Sequence, residues 1–162
     1  MSYRDTITSY YQAYCFWGSE TVNAPYYGAY FVSLFLGSEN NSRLIMLDPG
    51  NTSLAAYLIF NANGAPLRAL LYNSDYFTSG IRSNSTFTLN LPGNLASVRI
   101  KRISAPSATS LGTDSELAIG GGLRFDNSCV RTGNDGSESL RTNGRSVVVT
   151  VQGTEAAIVY LS

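Results

Sequence analysis

The chain has 162 residues, with eleven acidic side chains against eleven basic ones and no histidine. One domain accounts for that length, and a core burying roughly 70% of the unfolded chain's surface needs no metal or disulfide network. Balanced charge removes the field that would gather nucleic acid or an anionic membrane surface, and the missing imidazole excludes Ser-His-Asp, Cys-His and histidine-metal chemistry.

The basic set is ten arginines and Lys101, a bias that suits planar pairing with carboxylates and stacking on aromatic rings. Two cysteines occur, Cys15 and Cys129. An internal bridge would constrain the unfolded chain by roughly 3–5 kcal/mol; a bridge between two chains and two free buried thiols are the alternatives. Three N-x-S/T sequons begin at Asn40, Asn51 and Asn84, each in a polar, turn-like setting, and with the sparse lysine they favour a secreted glycoprotein. No signal peptide precedes Ser2, so Met1 reads as an added start on a mature chain or as the start of a fragment. No apolar run reaches the roughly 18 residues of a membrane span.

In chain order, the first segment, SYRDTITSYYQAYCFWGSE, concentrates aromatic residues, and a helix is expected over Thr6 to Cys15. In PYYGAYFVSLFLG, residues 25–37, the apolar side chains Tyr27, Tyr30, Phe31, Leu34 and Phe35 recur at helical spacing. Pro25 opens this second helix and Gly37 closes it. Residues 1–42 thus form a helical cover, and 43–162 read as strands.

RLIMLD and SLAAYLIFNA are followed by a hairpin at Asn63-Gly64, two residues that tolerate positive φ, leading into PLRALLYN. STFTLNL places Phe87 and Leu89 on one face, whereas SVRIKRIS alternates imperfectly. ELAI and LRF flank Gly120–Gly122, and SVVVTVQ meets AAIVYLS at the tight Gly153-Thr154 turn. About eight strands with frequent turn signals predict a mainly β fold, an antiparallel Greek-key sandwich with one or two N-terminal helices.

GGGLRF has neither a following helix nor a Gly-Lys-Ser/Thr and reads as a bend rather than a phosphate loop. The polar stretch DNSCVRTGNDGSESLR, residues 126–141, has the oxygen-rich composition that holds calcium or sugar hydroxyls, but reads as a solvated connection. Asp48, Asp75, Asp114, Glu116, Asp126, Asp135, Glu138 and Glu155 fall mostly in turns or at strand ends, and no catalytic carboxylate pair is expected among them. Tyr3, Trp17, Tyr26, Tyr27 and Tyr30 are the candidate binding residues, since Tyr and Trp stack on sugars and anchor protein contacts. No metal or cofactor is expected.

Taken together, YYGAYFVSLFLG, AAYLIFNANGAPLRALLYNSDY, ASVRIKRISAPSATS, LRFDNSCVRTGNDGSESL and VVVTVQGTEAAIVYL resemble the C-terminal region of glycoside hydrolase family 79, the β-glucuronidase and heparanase-like enzymes, over residues 25–162. That resemblance implies a β-sandwich that packs beside a catalytic (β/α)8 barrel, with residues 25–37 standing for the barrel's final helix. It also implies that the acid/base and nucleophile glutamates lie upstream of this chain, so none of its residues inherits either role. The expectation is a non-catalytic secreted protein that binds a glycan or a cell-surface protein, lectin-like or similar to fungal immunomodulatory proteins. The alternative is an accessory domain or fragment of a family 79 enzyme. A helix stripped of its barrel would expose a band of Tyr, Phe and Leu, to be covered by Ser2–Trp17 or by a second copy in a homodimer.

Overall fold

The computed structural model describes residues 21–47 and 50–161. Among the described residues one helix, α1 (Ala24–Leu36), precedes eleven antiparallel strands. Pro25 occupies its first turn, and Gly37, at φ 67°, ends it with its N–H on the Ser33 carbonyl at 2.9 Å, the left-handed stop that glycine provides without steric cost.

The large sheet runs β1 (Arg43–Leu47), β2 (Leu54–Phe60), β3 (Pro66–Asn73), β11 (Glu155–Tyr160), β5 (Ser97–Ser104) and β6 (Ala118–Ile119), with β9 (Glu138–Arg141) also paired to β5. Strands β4 (Asn84–Asn90) and β10 (Ser146–Gln152) form a second sheet, and β7 (Arg124–Phe125) pairs with β8 (Arg131–Thr132). The expected sandwich is therefore present, and α1 adds a third layer on the far side of the large sheet.

Each face of the large sheet has its own core. Between the sheets, the small residues Ala56, Ala69 and Ala157 make room for Phe87, Val147, Val149 and Val151 of the second sheet. On the other face Tyr27, Phe31 and Phe35 of α1 pack on Ile59, Ile119, Leu123, Phe125 and Ile158. Strand β11 lies in the middle of this arrangement, so its whole run from Glu155 to Val159 is buried, as expected of a strand covered on both faces. The same layering explains the imperfect alternation of β5: Val98 and Ile100 face the intersheet core, whereas Ile103 faces the helix. Strand β10 is covered on one face and alternates cleanly, with Val147, Val149 and Val151 buried and Val148 exposed.

Several expectations change. The helix does not leave its aromatic face in water: Tyr27, Phe31 and Phe35 are at most 3% exposed, because the large sheet buries them. The Gly153-Thr154 turn is an arch between sheets, since β10 pairs with β4 while β11 pairs with β3 and β5. Arg82 fixes this corner, its Nε donating to the Gly153 carbonyl at 2.7 Å and its Nη2 to the Thr154 hydroxyl at 2.8 Å. In the β2–β3 hairpin only Gly64 has positive φ; the loop spans residues 61–65, and the Asn61 carboxamide oxygen organises it by accepting from the N–H groups of Asn63 and Ala65. Residues 126–141 contain β8 and β9 rather than a plain connection. Both are short, largely exposed and built mostly of polar residues, so no hydrophobic period marks them.

Candidate functional site

Phe125 is the hub of the helix-side core. Tyr26, Tyr27 and Tyr30 meet its ring edge-on at centroid distances of 4.7, 5.1 and 5.0 Å, a geometry favoured by the ring quadrupoles. The buried Tyr27 hydroxyl accepts the Phe125 N–H at 3.0 Å, and the Arg131 guanidinium lies 5.8 Å from the Tyr30 ring. Three candidate binding residues therefore converge on one place, where they pack the helix. At 1% exposure Tyr27 has no surface left for a ligand. Tyr3, Trp17 and Cys15 lie outside the described residues, as does Asp48. Cys129 packs, half-buried, against this same core.

All three sequon asparagines are exposed. Asn40 and Asn51 occupy the expected turn settings, but Asn84 is the first residue of β4, paired with Gln152.

Two carboxylates of the polar stretch, Asp135 and Glu138, pair with cationic side chains of β5, whereas Asp126 accepts from N–H groups of its own loop. Arg102 donates from Nε to Glu138 at 2.9 Å, and from Nη1 to Glu155 at 3.1 Å and to the Thr150 carbonyl at 2.9 Å. Glu155, a buried acid, also accepts the Gln152 N–H at 2.9 Å. Lys101 and Arg131 both pair with Asp135. A small cleft of about 330 Å³ opens beside Arg102, Glu138, Gly120 and Gly121, with Glu138 as the acidic residue in its lining. The Arg102 guanidinium stands between Glu138 and Glu155, where glycoside hydrolysis requires the scissile bond. Among the described residues no group of three or more acidic or cysteine side chains is arranged to hold a metal ion.

Tight backbone packing positions this stretch. A Cβ on Gly120 would overlap the Gly136 carbonyl oxygen, and one on Gly133 would overlap that of Gly122. Gly120–Gly122 is thus a bend, as expected, but it is also one half of a backbone-on-backbone contact with residues 133–136. The glycines at 133 and 136 were the signal in the sequence.

A larger cleft lies elsewhere among the described residues. A trough of about 570 Å³ runs beside α1, with Tyr57, Leu70, Tyr72, Ile103 and Ala156 as floor and Ala24, Gly28 and Val32 as one wall. Its floor spans four strands in register: Tyr57 pairs with Leu70, and Ala156 with both Tyr72 and Ile103. Sequence periodicity gave no sign of it, because helix-facing positions of a sheet read as core whether or not a helix covers them. Beyond the trough, Met46 on β1 lies opposite Tyr57 and is 63% exposed.

At the C-terminal end of α1, Arg68 is buried on β3 and pairs with Glu39. That bond holds the Glu39 carboxyl below the usual glutamate value. A second contact, from the guanidinium to the Leu36 carbonyl at 3.4 Å, places positive charge on the helix terminus.

This architecture has known counterparts. A solved structure, the 4-O-α-L-rhamnosyl-β-D-glucuronidase from Fusarium oxysporum 12S in complex with Rha-GlcA, superposes with a TM-score of 0.78 at 39% identity. The match covers 91% of this chain and 32% of that one, so this chain spans about a third of the enzyme's length. A second structure, CelM2, a bifunctional glucanase-xylanase from a metagenome library, matches 68% of this chain and 16% of its own at 12% identity and a TM-score of 0.37, too weak a likeness to carry an argument. No curated protein matches the chain. Residues 56–158 match the family model of the glycosyl hydrolase family 79 C-terminal beta domain, and the chain belongs to that family.

Proposed function

We propose that this chain is a non-catalytic accessory β domain of a glycoside hydrolase, acting by packing against a catalytic body rather than by chemistry of its own. One observation carries the reading: the chain matches 91% of its own length to a glucuronidase but only 32% of that enzyme. Supporting it, the carboxylates of Glu138 and Glu155 are both tied to Arg102.

A chimera tests this. The matching third of the Fusarium oxysporum enzyme is exchanged for residues 1–162 of this chain, and melting and glucuronidase activity are followed. A single cooperative transition with retained activity is expected; two independent transitions, or a dead enzyme, would overturn the reading.

Secretion, a Cys15–Cys129 bridge and glycans on Asn40, Asn51 and Asn84 belong to the same proposal. Export from a secreting host, followed by peptide mapping with and without endoglycosidase and reductant, decides each; unmodified asparagines and two free thiols would remove them. Glycan or cell-surface binding is the competing role. A glycan array with no ligand bound at millimolar concentration would dispose of its lectin form.

A further inference from the structure

We infer that Asn143 is a site of spontaneous modification, where the fold leaves the side-chain amide free to cyclise onto the Gly144 nitrogen and open to isoaspartate; this is independent of the accessory role. The chain holds two Asn-Gly pairs, Asn63-Gly64 and Asn143-Gly144. Both lie in exposed turns, and both can follow the same chemistry. The glycine nitrogen gives its proton to solvent base and attacks the side-chain carbonyl carbon of the asparagine. The bond from that carbon to the side-chain nitrogen breaks, and ammonia leaves. Water then opens the five-membered imide at either carbonyl, giving aspartate or isoaspartate.

The two pairs differ in where the attacking N–H goes. Gly64 donates its N–H to the Asn61 carbonyl at 3.0 Å. The Asn61 carboxamide oxygen also holds the N–H groups on either side, those of Asn63 and Ala65, at 3.0 and 2.9 Å. That nitrogen is therefore tied down and must wait for the loop to open. Gly144 stands instead in the turn that joins β9 to β10, closed by the Ser146 N–H on the Asn143 carbonyl at 3.1 Å. Its φ of 61° is the only positive one of the two central residues, as in a type II′ hairpin turn with glycine at the first central position. Among the described residues the Gly144 N–H has no acceptor, and no atom lies within 4 Å of where a Gly144 Cβ would be.

The fold around this turn tolerates the product. On one side Thr142 donates its N–H to the Ala96 carbonyl at 3.3 Å and its hydroxyl to the Leu95 carbonyl. On the other the Arg145 carbonyl accepts the Leu91 N–H at 2.8 Å. The extra main-chain carbon of isoaspartate falls between these anchors, and the contacts it disturbs are those between Asn143 and Ser146. The lasting change is one of charge. A carboxylate appears in a turn flanked by Arg141 and Arg145, on a chain whose formal net charge is otherwise zero.

Ageing the purified chain in mildly alkaline buffer, folded and in urea, with peptide mapping by mass spectrometry, tests this. In the folded chain Asn143 should convert about fivefold faster than Asn63 or more, the factor equivalent to opening one hydrogen bond of about 1 kcal/mol. In urea the two should convert at the same rate, because both turns are gone. Asn61→Ala, which releases the N–H groups of Asn63 and Ala65, should raise the Asn63 rate and leave the Asn143 rate unchanged; if that variant does not fold, the folded and urea samples decide alone. The aged protein should elute from an anion exchanger as a more acidic species that still melts in one transition. Equal rates in the folded chain, Asn63 ahead of Asn143, or an Asn143 that stays an amide while the urea sample converts would each overturn the inference. So would a preference for Asn143 that persists in urea, since it would come from neighbouring residues and not from the fold.

Discussion

The Tyr27 hydroxyl accepts the backbone N–H of Phe125 at 3.0 Å, joining the first turn of α1 to a strand almost a hundred residues later. Both groups are buried, so neither has water as a substitute partner. Tyr27→Phe keeps the ring and leaves the N–H unpaired. It should cost about 1–3 kcal/mol, while Phe125→Ala, which also removes three edge-on ring contacts, should cost about 3–5 kcal/mol. Urea denaturation of the two variants measures both, and equal losses would deny the hydrogen bond a separate role.

Arg102 is expected to matter more than a surface ion pair. Its removal leaves Glu155 buried without its cation, and breaking a buried pair costs about 3–5 kcal/mol. Arg102→Met should therefore be severely destabilising, and adding Glu155→Gln should recover part of the loss. A double-mutant cycle by chemical denaturation reads the coupling; simple additivity would show that the pair is not a unit.

Glycine substitutions separate strain from overlap. Gly121 has φ 80° with open space at its Cβ position, whereas Gly120 has φ 59° and faces the Gly136 carbonyl. Gly121→Ala should cost roughly 1–2 kcal/mol from the left-handed backbone alone. Gly120→Ala should cost clearly more and loosen β9, seen as faster amide exchange across residues 133–141.

Acid should weaken the end of α1. Arg68 depresses the Glu39 carboxyl, so the pair's contribution is fully present above the ordinary glutamate range and is lost as pH falls through the lowered folded value. Melting curves of the wild type and Glu39→Gln should differ at neutral pH and converge in acid. A constant gap across that range would show that the ion pair is not what Glu39 contributes.

Local punctuation made much of the fold readable. Pro25 and Gly37 bracket α1, Val147, Val149 and Val151 mark β10, and the 61–65 loop makes its hairpin. What escaped depends on long-range layering. AAIVY in β11 reads as a generic apolar run until β3 and β5 pair with its two edges and cores form on both its faces. Gly153-Thr154 has the composition of a hairpin turn, and only the placement of Arg82 shows that the chain changes sheets there. Among the site residues, tyrosine at helical spacing was legible, but its use was not: spacing says that Tyr26, Tyr27 and Tyr30 gather on one side of α1, and only the fold supplies Phe125 as what they gather around.

Whether this β domain carries a reaction of its own is decided by incubating the purified 162-residue chain with 4-nitrophenyl β-D-glucuronide. Product release indistinguishable from the protein-free rate is the predicted result. Turnover that disappears in Glu138→Gln or Glu155→Gln, with the fold retained, would contradict it.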